Sequence, residues 1–119
     1  EKRVEKVEEK KMEQISIDEF FKTELKVAVV KTCEDVEKSN KLYKLTLDLG
    51  GEERTVASGL KKYYKPEELI GKKVIVVANL APRTFCGVES HGMILAGEIS
   101  EEDVKVVFVD GLPAGTMLG

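Results

Sequence analysis

Several features that often indicate a particular chemistry are scarce or missing in this chain of 119 residues. It has a single histidine, His91, and two cysteines, Cys33 and Cys86. The cysteines lie too far apart for a paired metal or redox motif, and we expect both to be reduced thiols. Neither standard type of phosphate-binding glycine loop occurs. The sequence therefore contains no conventional metal, redox or nucleotide site.

The one cluster that could suggest catalysis is the stretch from Cys86 to His91. A thiol and an imidazole can form a nucleophile and its base, but no orienting acid and no oxyanion-stabilising group is recognisable nearby. Adding Cys33 to make a zinc site fails because the ligand spacing of such sites is missing. We therefore predict that the domain itself is not an enzyme, with no catalytic residue, no metal and no cofactor.

Long apolar runs are also absent. The longest, residues 74–82, contains Asn79 and is far shorter than the roughly 20 residues that span a bilayer. The N-terminus is charged throughout and does not resemble a secretory signal. We therefore expect a cytoplasmic protein that contacts no membrane, and, because residue 1 is Glu, we expect it to be a piece of a longer or processed chain.

The length predicts one domain with a single core, preceded by a charged leader. In residues 1–14, charges alternate in sign while Val4, Val7 and Met12 recur at roughly helical spacing. This pattern fits either a solvated helical linker or a helix that packs on a partner. Ser16 and Glu19 then form a capping box, which predicts a short helix ending near Lys22.

After this helix the hydrophobic period changes to two. Strands are predicted over 25–33, 42–49, 52–58, 72–80, 92–99 and 104–110, with a turn at Gly50-Gly51 and a helical or turn-like segment over 60–71. This order predicts an all-β fold, a five-stranded OB barrel with a short helix between strands 3 and 4, an N-terminal helix and a C-terminal strand extension. OB barrels bind along strands 2–3 and the loops 1–2 and 4–5, here residues 34–41 and 81–91.

Charge is distributed unevenly along the chain. The net charge is −3, yet residues 38–65 hold seven basic and three acidic side chains, a local excess of four positive charges. A small domain can therefore carry a basic face while it is acidic overall. Lys44, on the outer side of predicted strand 2, and Lys61, after strand 3, are candidates for phosphate contact, although such lysines can also be ordinary solvated side chains.

Three stretches, "SNKLYKLTLDLGGEERTVASGL", "YKPEELIGKKVIVVANL" and "GVESHGMILAG", are similar to the tRNA-binding OB domain. That domain is appended to methionyl-tRNA synthetases and also occurs in synthetase cofactors and in a free-standing tRNA-binding protein. The resemblance covers residues 15–119 and is strongest to the C-terminal dimerisation domain of prokaryotic methionyl-tRNA synthetases. It implies shape-specific binding of the outer corner of tRNA, a homodimer, and a link to the catalytic body of a synthetase. The binding positions it implies are Asn40, Lys41, Ser58, Asn79, Arg83, Ser90 and Met93.

Two departures from the family pattern lower the affinity for RNA that we expect from the two loops. Ala81, Thr84 and Cys86 stand where the family commonly has basic residues, and "EKS" replaces a His-Pro pair before Asn40. The lysines at 61, 62 and 65 are candidates to compensate. His91 occupies a position where the family commonly has Gln, which indicates a neutral hydrogen-bonding residue.

Other interpretations remain open at this stage. Asn79 is either an RNA contact or a structural hydrogen-bonding residue, and Tyr63 and Tyr64 either stack on bases or pack the helix on the barrel. At the level of function, the alternatives are a protein-binding, secretion-related chaperone of the same fold family and a free-standing tRNA-binding cofactor.

Overall fold

The alternation of apolar and polar residues places one side of each strand in a common core. The computed structural model describes residues 13–119, which form a curled, antiparallel sheet with OB-like topology. The predicted all-β class is confirmed; the leader over 1–14 falls almost entirely outside the described residues. The elements are α1 (Ile17–Phe20), β1 (Leu25–Asp35), β2 (Tyr43–Asp48), β3 (Glu53–Ser58), α2 (Pro66–Leu69), β4 (Lys73–Val77), β5 (Arg83–Phe85), β6 (Val88–Ser90), β7 (Met93–Ile94), β8 (Ala96–Ser100), β9 (Asp103–Val106) and β10 (Met117–Leu118).

The first helix begins at the predicted capping box. The Ser16 hydroxyl accepts from the Glu19 N–H at 3.0 Å, and the Glu19 carboxylate accepts from the Ser16 N–H at 2.9 Å. Both bonds satisfy amides that a helix start otherwise leaves open. The helix is shorter than expected, because Lys22 and Thr23 form a turn that bonds back to the carbonyls of Glu19 and Phe20.

The barrel is formed by a sheet with the strand order β3-β2-β1-β4-β7. Strand β1 is 11 residues long and changes register between Val30 and Thr32. Its first part, from Leu25 to Val29, pairs with β4, and its second part, from Val29 to Asp35, pairs with β2. The free edge of β3 is then joined to the chain after β6, where the His91 N–H donates to the Thr55 carbonyl at 2.8 Å.

The core follows the predicted alternation. Leu45 and Leu47 on β2 are fully buried, whereas Lys44, which directly precedes Leu45, is exposed. Each fully buried leucine stabilises the fold by about 1.5–3 kcal/mol relative to an exposed one. The other fully buried large side chains are Val27, Val30, Val56, Leu69, Val74 and Val76.

The predicted turn at Gly50-Gly51 is present, and both glycines have positive φ, at 87° and 107°. Asp48 accepts both of their amide protons, which lowers the pKa of its carboxyl. Gly50 is also a point of close contact, because a Cβ there would lie 2.8 Å from the Ala114 carbonyl oxygen. The C-terminal segment is thereby packed directly over this turn.

Predicted strand 104–110 ends earlier, at Val106, and two other predicted segments also differ from the structure. Predicted strand 92–99 is divided: β7 pairs with β4, and the chain then leaves the barrel as β8, which is exposed throughout and pairs with β9. The helical segment expected over 60–71 is helical only in α2, where Pro66 occupies the first turn and Gly71, at φ 86°, follows the end. Within residues 13–119, no helix is long and apolar enough to cross a membrane.

Candidate nucleic-acid interface

A row of residues crosses the outer side of the barrel from β2 to the hairpin formed by β5 and β6. Lys44 lies opposite Ala57 on β3, the Ala57 N–H donates to the Ser90 hydroxyl at 2.9 Å, and Ser90 lies opposite Arg83. With strands about 4.8 Å apart, this row places Arg83 roughly 15 Å from Lys44. Both cationic residues are exposed. The sequence-predicted residues Lys44, Arg83 and Ser90 are therefore brought together.

The hairpin is the part of the 4–5 loop that the sequence did not predict as strand. Phe85 and Val88 pair, so Cys86-Gly87 is a two-residue turn with φ values of 50° and 85°. Two positive φ values are typical of the type I′ turn that fits the twist of a hairpin. The Arg83 guanidinium lies 5.1 Å from the centre of the Phe85 ring, a cation–π distance. The ring thus supports an arginine that is open to solvent.

Ser90 is the one buried polar residue among the described residues, at 3% exposure. Besides accepting from Ala57, its hydroxyl donates to the Gly92 carbonyl at 3.2 Å. Both bonds hold the base of the hairpin against the edge of β3. Ser90 therefore fixes the position of the hairpin rather than presenting a hydroxyl to solvent.

The 1–2 loop is organised around Ser39. Its hydroxyl accepts from the N–H groups of Lys41 at 3.0 Å and Leu42 at 3.1 Å. Lys61 donates from its backbone N–H to the Lys41 carbonyl at 3.1 Å and from its ammonium to the Ser39 carbonyl at 2.9 Å. These contacts leave the side chains of Asn40 and Lys41 exposed. A shallow depression of about 660 Å³ lies between this loop and Lys61.

Asn79 and Met93 lie near the end of β4, beside the N-terminal segment. The Asn79 amide oxygen accepts from the Glu24 N–H at 2.9 Å, and its amide nitrogen donates to the Lys22 carbonyl at 2.6 Å. The sequence left open whether Asn79 contacts RNA or is a structural hydrogen-bonding residue, and these two bonds are those of a structural residue. Met93 pairs with Val77 and is about half exposed, at 49%.

Ser58 and the two tyrosines complete the set that the sequence singled out. Ser58 ends β3 opposite Tyr43 and is half-buried. The Tyr63 hydroxyl donates to the Glu101 carbonyl at 2.6 Å, and the Tyr64 hydroxyl accepts from the Val106 N–H at 3.0 Å. The tyrosines therefore connect the segment after β3 to the β8–β9 ribbon, and packing accounts for both.

Cations are paired with carboxylates where β3 begins, whereas several others have no carboxylate partner among the described residues. Where β3 begins, Lys31 pairs with Glu53 and Arg54 with Glu52, both at 2.8 Å. These partners raise the pKa of Lys31 and lower that of Glu52. Within residues 13–119, no carboxylate lies within salt-bridge distance of the cationic groups at Lys38, Lys41, Lys44, Lys62, Lys65 and Arg83.

The cysteines and the histidine lie far from any arrangement suited to catalysis. Cys33 is buried in the core, where desolvation and the nearby carboxylates of Asp35 and Glu34 raise the pKa of its thiol to about 11. Cys86 is exposed at the hairpin turn, and the His91 imidazole lies 3.6 Å from the Glu89 carboxylate. In the described part of the chain, no three His, Cys, Asp or Glu side chains are grouped to hold a metal ion.

Two contributors to this surface were missed by sequence reasoning. Ser39 organises the 1–2 loop, and its signal was a serine placed two and three residues before the amides it binds, a pattern of serine turns. The Thr55 carbonyl closes the barrel to His91. No sequence pattern marks that contact, because it depends on the final position of a backbone atom.

Comparison with known proteins identifies relatives of the same architecture. The family model described as "Putative tRNA binding domain" matches residues 25–117. A methionine–tRNA ligase of Methanocaldococcus jannaschii is 55% identical over 100 residues, which are 84% of this chain and 15% of that protein. The chain therefore spans about a sixth of the length of such relatives.

Two solved structures superpose on nearly the whole domain. A methionyl-tRNA synthetase-related protein from Pyrococcus horikoshii has a TM-score of 0.86 and 42% identity, covering 91% of this chain and all of that one. The chaperone CsaA from Bacillus anthracis has a TM-score of 0.82 and 25% identity, covering 90% and 100%. The same barrel therefore occurs in proteins with different names and roles.

Proposed function

This chain belongs to the tRNA-binding domain family, and we propose that it binds the outer corner of folded tRNA by shape, as an appended domain of a methionine–tRNA ligase. The observation that carries the proposal is the row from Lys44 through Ala57 and Ser90 to Arg83, which joins two open cations across the outer face. Such a pair can follow a phosphate backbone without reading bases.

The RNA-contacting side chains in this proposal are the exposed ones. Lys41, Lys44 and Arg83 supply positive charge, and Asn40 supplies a neutral donor from the 1–2 loop. Ser58, at the end of β3, and Met93, which begins β7 opposite the end of β4, border this surface. Ser90 and Asn79 contribute indirectly, because their polar atoms already hold the hairpin and the N-terminal segment in place.

The domain has no catalytic role in this proposal and acts by tethering. Weak binding of tRNA without sequence preference raises the local concentration of tRNA at the catalytic body to which the domain is linked. The partners are therefore tRNA and the catalytic part of the ligase, and the location is the cytoplasm, where synthetases typically work. A free-standing cofactor would use the same surface without the covalent link.

We further propose that the domain forms a homodimer through apolar side chains near its termini. Phe21 is 55% exposed and Met117 is 54% exposed, and the Phe21 ring lies against the C-terminal Gly119. Sedimentation at micromolar concentration tests this directly: we expect a dimer that Met117→Lys dissociates, whereas Ile70→Lys, at a separate exposed position, leaves it intact. A monomeric wild type would contradict the dimer.

Binding to tRNA is tested by titration at several salt concentrations. With three phosphate contacts, the logarithm of the affinity should fall against the logarithm of salt concentration with a slope of about −2 to −3 for each copy. Lys44→Met should reduce that slope by about 0.7–0.9. Lys105→Met, which removes the same charge on β9, should leave it unchanged. Equal affinity for folded tRNA and for single-stranded RNA of the same length would refute recognition by shape.

A second candidate is a chaperone-like module, favoured by the similarity to the CsaA structure and by exposed apolar side chains. It predicts affinity for unfolded polypeptide that does not depend on RNA. Competition between tRNA and a reduced, unfolded protein for the wild-type domain separates the two. Binding of the polypeptide without any binding of tRNA would favour the chaperone.

A further inference from the structure

The side chain of Lys61 is directed under the 1–2 loop rather than into solvent. Its ammonium donates to the Ser39 carbonyl at 2.9 Å and lies 3.7 Å from the Asp35 carboxylate, and the side chain is only 21% exposed. The next lysine, Lys62, is exposed and has no salt bridge to the described residues. Two adjacent lysines thus have opposite orientations.

The contacts of Lys61 meet those of Ser39 and form one small network. Ser39 holds the amides of Lys41 and Leu42 through its hydroxyl, and its own N–H donates to the Val36 carbonyl at 3.0 Å. Lys61 adds a backbone bond to the Lys41 carbonyl. Both sides of the exposed tip at Asn40 and Lys41 are therefore tied to the segment that follows β3.

The Lys61 ammonium donates one hydrogen bond to the Ser39 carbonyl and forms a 3.7 Å ion pair with Asp35, so a phosphate would have to approach a largely enclosed cation that already has a carboxylate beside it. The exposed lysines nearby, Lys41 and Lys62, have no such carboxylate among the described residues. We propose that Lys61 is a positioning residue, which holds the 1–2 loop in the conformation that presents Asn40 and Lys41 to RNA. This inference rests on the proposed tRNA binding, and it assigns Lys61 a role different from the phosphate contact that its charge alone suggests.

Preorganisation explains why such a residue affects affinity without touching RNA. A loop that is already ordered loses less conformational freedom on binding than one that must be ordered at that moment. Loss of the ammonium should therefore weaken binding while the number of phosphate contacts stays the same. The salt dependence reports that number and is the property that separates a positioning residue from a contact.

The test compares Lys61→Met with Lys62→Met, which removes the same charge from the neighbouring residue, and with Lys61→Arg, which keeps the charge and its donors. Amide exchange in the free protein and tRNA affinity at several salt concentrations are measured for each. For Lys61→Met we expect at least tenfold faster exchange of the Lys41 and Leu42 amides. We also expect roughly fivefold to tenfold weaker binding, with the wild-type salt slope.

The control variants make the result decisive. Lys62→Met should exchange like the wild type, and Lys61→Arg should recover most of the protection and affinity. A Lys61→Met slope reduced by about 0.7–0.9, with unchanged amide exchange, would show a direct phosphate contact and overturn the inference. If the wild type does not bind tRNA, the proposed function fails. Faster amide exchange in Lys61→Met would then still support the part of the inference in which Lys61 holds the 1–2 loop in place.

Discussion

Replacing Ser90 with alanine should loosen the join between the hairpin and β3. The substitution removes the acceptor of the Ala57 N–H and the donor to the Gly92 carbonyl at a site that is 3% exposed. A hydrogen bond contributes about 1 kcal/mol net, and a buried group left without a partner costs about 1–3 kcal/mol. We therefore expect Ser90→Ala to lower the free energy of unfolding by about 2 kcal/mol.

For a chain of 119 residues, 1 kcal/mol corresponds to about 4 °C in Tm, so the variant should melt about 8 °C lower. The chain has no tryptophan, so urea unfolding is followed by far-ultraviolet circular dichroism. Amide exchange should also become faster at Ala57 and at His91, because the His91 N–H donates to the Thr55 carbonyl at the same contact between the hairpin and β3.

Ser58→Ala is the matched control, because Ser58 is half-buried on the same strand and its hydroxyl has no hydrogen-bond partner among residues 13–119. It should change stability by less than about 0.5 kcal/mol, as surface substitutions usually do. The reasoning would be refuted if the two variants were equally stable. It would also be refuted if Ser90→Ala melted with the wild type.

Three further outcomes are expected. Cys86→Asn should stabilise the domain by about 0.5–1 kcal/mol in urea unfolding, since asparagine tolerates the positive φ of 50° better than cysteine does; a loss of stability would show that the thiol makes a contribution of its own. At pH 8 an alkylating reagent should label Cys86 quickly and leave Cys33 unlabelled until the protein unfolds. Raising the pKa of the Cys33 thiol from 9.0 to about 11 lowers its thiolate fraction about 100-fold. Fast labelling of both cysteines, or fast labelling of the Cys86→Ser variant, would contradict this. His91→Gln should change tRNA affinity less than about twofold near neutral pH. The contact of this residue with Thr55 is made by its backbone N–H, and its imidazole has only a loose contact, at 3.6 Å, with the Glu89 carboxylate. A large loss of affinity in the same titration would show that the ring contacts RNA.

Local rules predicted the parts of the fold that depend on neighbours in sequence. The capping box at Ser16, the alternation on β2 and the turn at Gly50-Gly51 each follow from residues within four positions of one another. The division of predicted strand 92–99 does not follow from such local rules, because it depends on which distant strand each part pairs with. The departure of Ala96–Ser100 from the barrel is decided by pairing with β9 instead of β4.

The candidate interface divides in the same way. Exposure of Lys44 followed from its place between two inward-facing residues on β2. The role of Lys61 could not be predicted, because its ammonium meets a backbone carbonyl 22 positions earlier in the chain. Charge in a sequence indicates how many cations are available, whereas only tertiary contacts decide which of them are already occupied.

The attachment of the β5–β6 hairpin by its base has a consequence for how such a domain diversifies. Ser90 and the His91 backbone fix the base, while the tip at Cys86-Gly87 touches solvent. Substitutions at the exposed positions Thr84 and Cys86 can therefore alter the charge carried by the tip with little disturbance of the barrel. Natural variation or laboratory selection at these positions could tune the strength of RNA binding separately from folding, so that one scaffold serves hosts with different requirements.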